Sequence, residues 1–181
     1  MENKSVLLKA HEVKEGKNIP HKCRIYISAI IMGLNDALIE MTGALAGFTI
    51  VLPNNRTIVL AGLTTGIAAT LSMSATEYLA QEAEKNSLKP LFAAAITGTA
   101  YLMTVSILLI PFAIINNPFC ALSLCIAFAA LLIFLFTFCE SFIRQQTFYQ
   151  LCTRMLCISF GVALLSFLLS WGADYYWGIH L

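Results

Sequence analysis

The sequence predicts an all-α membrane protein with five transmembrane helices per protomer, on three observations. Of 181 residues, 59% are hydrophobic and 12% are charged, about half the charged share of ordinary soluble domains, and the mean hydropathy is +0.78. The apolar residues gather in five runs, near 25–51, 58–81 (its helix continuing to 86), 90–112, 119–143 and 155–178, each long enough for the roughly 20 residues that a helix needs to cross a bilayer. The five prolines, Pro20, Pro53, Pro90, Pro111 and Pro118, stand at or near the edges of these runs, where a residue without an amide hydrogen punctuates helices at least cost. Runs of this length far exceed the roughly ten alternating residues of a barrel strand.

Two segments follow in order: a basic tail over residues 1–24 and a five-helix transmembrane domain over 25–181. The first apolar run begins after a polar stretch and is too long for a cleavable signal core. Lysine and arginine counting orients the helices. The tail holds Lys4, Lys9, Lys14, Lys17, Lys22 and Arg24; the second connection holds Lys85 and Lys89; the fourth holds Arg144 and Arg154. With five spans these three segments share one side, and only Arg56 lies on the other. The expectation is an integral membrane protein with a cytoplasmic N-terminus and a C-terminus on the opposite side, in a plasma membrane or a vacuole-type membrane. A net charge of +1 offers no footprint for nucleic acid; membrane lipid is the expected surrounding partner.

The first run carries two acids, Asp36 and Glu40. Four-residue spacing places both on one helix face, and a charged group at the centre of a spanning helix costs about 2.5–3.5 kcal/mol on insertion scales. Counted along the helix, Asp36 lies about 16 Å deep and Glu40 about 6 Å further outward. The second run returns, so that Met73 stands about 22 Å and Glu77 about 28 Å from its outer end. Met73 is then level with Asp36, and Glu77 is near the cytoplasmic mouth, where Glu82 and Glu84 extend the series. No lysine, arginine or histidine falls within a membrane core to neutralise these acids, and His11, His21 and His180 are all terminal. Asp36, Glu40, Met73, Glu77, Glu82 and Glu84 are therefore the candidate metal residues. Glu140, near the end of the fourth run, reads as interfacial.

Ligand type narrows the cation. Carboxylates suit hard and borderline ions, and a thioether adds softness that favours ferrous iron or manganese over magnesium and calcium. Carboxylates gathered in a low dielectric also retain protons readily, so exchange of protons for a divalent ion is a natural coupling. The six cysteines form no Cys-x-x-Cys pair and read as small hydrophobes. The sequon Asn55-Arg56-Thr57 reads as a turn. Gly43-x-x-x-Gly47 and Gly62-x-x-x-Gly66 provide small faces on which helices approach closely in lipid, and these faces are expected near the axis of a two-fold dimer.

Two motifs resemble a known family. Gly33-Leu-Asn-Asp36-Ala-Leu-Ile-Glu-Met-Thr-Gly43 is similar to its N/S-D-G-L-x-x-x-x-G pattern, with Ala37 in place of the glycine after the aspartate. Ala61-Gly62-Leu63-x-x-Gly66-x-x-Ala69-x-x-Ser72-Met73-Ser-Ala-Thr-Glu77-Tyr78 is similar to its A-G-L-x-x-G-x-x-S-M-x-x-x-E-Y pattern. Together they resemble the vacuolar iron transporter family. The resemblance implies a homodimer of five-helix protomers, with the first two helices of each lining a path for ferrous iron in exchange for protons. By position Asp36 and Met73 match that family's intramembrane metal residues, and Glu77 matches the acid before the tyrosine. This chain is a short form, because the connection from Ala83 to Lys89 lacks a cytoplasmic metal-binding domain.

The expected function is thus transport of ferrous iron or manganese from the cytoplasm to the opposite side, with protons as the coupling ion and no cofactor beyond the transported metal. The alternatives are a membrane sensor that binds metal or protons without moving them, and a carrier of another divalent cation. No nucleophile–base pair or cofactor fingerprint suggests an enzyme.

Overall fold

The computed structural model describes residues 21–83, 89–144 and 147–177, and the tail up to Pro20, Glu84 and Lys85 lie outside them. Among the described residues five helices run in sequence: α1 (His21–Val51), α2 (Asn55–Ala83), α3 (Pro90–Ile114), α4 (Pro118–Arg144) and α5 (Phe148–Trp177). All five are long and apolar enough to cross a membrane.

The helix starts follow local chemistry. Asn54 caps α2: its side-chain oxygen accepts from the Thr57 backbone N–H at 3.0 Å and from the Thr57 hydroxyl at 2.9 Å, which satisfies one orphan donor of the first turn. Asn117 caps α4 through the N–H of Phe119 at 3.0 Å, with Pro118 supplying a preset first residue. Within the helices the hydroxyls bond their own backbone. Thr42, Thr49, Thr70, Ser74 and Thr104 each donate to the carbonyl four residues earlier, at 2.6–3.0 Å. That is how such side chains remain satisfied where water is excluded. An ionised carboxylate has no hydrogen to donate to its own helix carbonyls, which sets Asp36, Glu40 and Glu77 apart.

Two expected boundaries shift. Helix α1 starts a turn earlier than residue 25, because the polar His21–Arg24 segment continues the helix beyond the apolar run. Helix α5 starts at Phe148 rather than near 155. Arg154 therefore sits inside α5, exposed, where a long cationic side chain can reach toward the interface.

Helix α1 is the centre of the bundle. It packs chiefly on α5 and α3, then on α4, and only slightly on α2, whereas α2 leans on α3. Glycines decide these pairings. A Cβ on Gly43 would stand 2.8 Å from Val162 Cγ1, and one on Gly47 would stand 2.9 Å from Ser170 Oγ, so this face is filled by α5. A Cβ on Gly62 would meet Leu109 at 2.7 Å and one on Gly66 would meet Val105 at 2.5 Å, both on α3. The expectation that these glycine faces line a dimer axis is corrected: they are occupied within the protomer, because a bare backbone lets the neighbouring helix approach most closely. Leu38, Met41 and Leu45 of α1 form the core with Tyr101, Val105, Leu108 and Phe112 of α3.

Candidate metal site

Helix α1 carries the two acids one turn apart at its middle. Asp36 is half-buried and Glu40 is exposed. Beneath Glu40 lies Tyr101 of α3, with none of its surface accessible. The Tyr101 hydroxyl donates to Glu40 Oε2 at 2.7 Å, and Tyr101 is also within electrostatic reach of Asp36. Glu40 thus borders a phenol supplied by another helix, with Asp36 one turn away on α1. The close crossing of α1 and α3 makes this possible: a Cβ on Gly33 would stand 2.6 Å from the Thr97 carbonyl oxygen. The Thr97 hydroxyl completes the crossing by donating to the Ala29 carbonyl at 3.3 Å.

Helix α2 carries the remaining candidates. Met73 is half-buried and packs against the main apolar core. Glu77 is 3% exposed, and its Oε1 accepts from Gln81 Nε2 one turn on, at 2.9 Å. The buried Gln81 Oε1 has no hydrogen-bond partner among the described residues. The pair lies near the C-terminal end of α2. Glu82 is exposed at that end, and Glu84 lies outside the described residues.

Glu40 pairs with Tyr101, with Asp36 one turn away on the same helix, while Glu77 pairs with Gln81. Among the described residues no group of three or more His, Cys, Asp or Glu side chains converges within one protomer. The thinness of the α1–α2 contact explains this, since the small residues of α2 dock on α3 instead: a Cβ on Gly98 of α3 would run into the Ser74 hydroxyl.

Sequence reasoning passed over one residue and left another outside the candidate set. Tyr101 is the first; a tyrosine deep in an apolar helix is a signal, because its hydroxyl needs a partner where water is absent. Glu140 is the second. It is 7% exposed, and with Asn35 it supplies the polar groups of an otherwise apolar cavity of about 180 Å³ between α1 and α4. The sequon reading also changes. Asn55 is buried in the first turn of α2, and its side-chain amide donates to the Ile115 carbonyl.

Comparison with known proteins bears on this same region. Residues 27–90 match the model of a family described as the VIT family. The match covers most of α1 and all of α2, and so contains Asp36, Glu40, Met73 and Glu77. It supports the vacuolar iron transporter family and points to a membrane metal transporter. No curated protein matches the chain.

Proposed function

We propose that this protein transports a divalent transition metal, ferrous iron or manganese, from the cytoplasm to the opposite side of its membrane in exchange for protons. The observation that carries this reading is the Asp36–Glu40 pair at the middle of a spanning helix, inside the stretch that matches the VIT family. Carboxylates at that depth are costly unless they serve a charged substrate. Asp36 with the Met73 thioether forms the mid-membrane site, and Glu77, with Glu82 and Glu84, admits metal from the cytoplasmic side.

A two-fold dimer completes the path. One protomer leaves Glu40 exposed, and only 17% of the apolar window of α2 is buried. A second copy against these surfaces supplies ligands that one chain lacks. Basic-residue asymmetry sets the N-terminus on the cytoplasmic side.

The test is uptake of iron and manganese into proteoliposomes across an imposed pH gradient. The parent should accumulate metal in step with proton movement. Asp36→Asn keeps the shape but removes the charge and the exchangeable proton, and it should abolish uptake. An Asp36→Asn variant that transports like the parent would overturn the reading. A parent that binds metal without moving it would mark a sensor.

A further inference from the structure

The bond from Tyr101 to Glu40 joins two helices, and its two ends differ in environment. Tyr101 belongs to the buried core, wholly inaccessible, with its ring held by neighbours on α1 and α3. Glu40 is exposed, yet its Oε2 is held at 2.7 Å by the phenol, the spacing of a charge-assisted O–H···O bond. A buried donor thus holds the carboxylate of an exposed residue at one oxygen.

We infer that Tyr101 is a positioning residue for metal coordination: it engages one oxygen of Glu40 and takes one of that oxygen's two lone pairs, so that Glu40 meets a divalent cation chiefly through its other oxygen. This rests on the transport reading above and adds a selectivity device to it. Calcium takes six to eight oxygens and often binds a carboxylate through both. Smaller transition ions need fewer oxygens. A carboxylate restricted chiefly to one oxygen therefore disfavours calcium, and one already ordered by its phenol loses less freedom when metal arrives.

The experiment removes only the hydroxyl. In proteoliposomes, Tyr101→Phe should raise the half-saturating manganese concentration about tenfold, the factor that one hydrogen bond to a charged group commands, with maximal rate held within about twofold. Calcium should compete more effectively with manganese uptake in the variant than in the parent. The manganese-induced infrared difference spectrum should show the carboxylate stretches moving from a one-oxygen toward a two-oxygen pattern. Glu40→Asp, one methylene short of the phenol, should reproduce the higher half-saturating concentration and guards against a folding defect in Tyr101→Phe. Unchanged half-saturation, calcium competition and carboxylate bands in a folded Tyr101→Phe would overturn the inference while leaving transport intact. A loss of maximal rate alone would also overturn it. A parent that shows no manganese-induced bands and no uptake would instead overturn the transport reading, and this inference with it.

Discussion

Gly33 of α1 and Thr97 of α3 meet backbone to backbone: a Cβ on Gly33 would stand 2.6 Å from the Thr97 carbonyl oxygen. A main-chain oxygen cannot swing aside as a side-chain tip can, so any larger residue must push the helices apart. Gly33→Ala should destabilise the protein by about 1–3 kcal/mol, seen as a lower Tm in detergent. Gly161 of α5 is the control. Nothing lies within 4 Å of its added Cβ, and Gly161→Ala should be neutral or stabilising by up to about 1 kcal/mol.

On the proposed transport reading, variants of Met73 and Glu77 should separate selectivity from supply. Met73→Leu keeps the approximate volume in the core and removes the sulfur. It should weaken the preference for soft transition ions over magnesium while leaving Tm nearly unchanged. Glu77→Gln should raise the half-saturating metal concentration with a smaller effect on maximal rate. Competition uptake assays on the purified variants check both.

Asn55 should carry no glycan despite its sequon. Its amide is buried and donates to the Ile115 carbonyl, so modification would need the start of α2 to unfold. Expression in a glycosylating host followed by glycosidase treatment should leave gel mobility unchanged. Asn55→Ala should cost about 1 kcal/mol, because it leaves a partly buried carbonyl without its donor.

The surface offered to a second copy can be mapped with single cysteines in a background free of native ones. Thr64, Ala68, Leu71 and Ala75 form one exposed face of α2 and should give disulfide-linked dimers at some of these positions. Cysteines at Gly43 and Gly47, which face Val162 and Ser170 of α5, should not. Cross-linking confined to the glycine positions would contradict the proposed interface.

The sequence alone determined the class of this protein, its five helices and the placement of Asp36 and Glu40 on one face of the first. These are local properties. Span length, proline position and four-residue spacing are read along the chain, and a bilayer forces each apolar run to satisfy its own backbone as a helix. Charge and hydropathy could not place the start of α5, because its first turns carry Gln150 and Arg154 among apolar residues and read as loop.

Only the tertiary structure decided which helices meet. Glycines at four-residue spacing announce a close contact without naming the partner. Gly43 and Gly47 could have faced a second copy; they face α5 because Val162, Ser166 and Ser170 are spaced to receive them. The same choice draws α2 onto α3 and away from α1, buries Glu140 beside α1, and sets the Tyr101 phenol against Glu40 across 61 residues of chain. In lipid no hydrophobic force ranks one apolar helix face over another, so van der Waals fit and a few polar bonds settle the arrangement. Those depend on residues far apart in sequence, and they become visible only when the helices are packed.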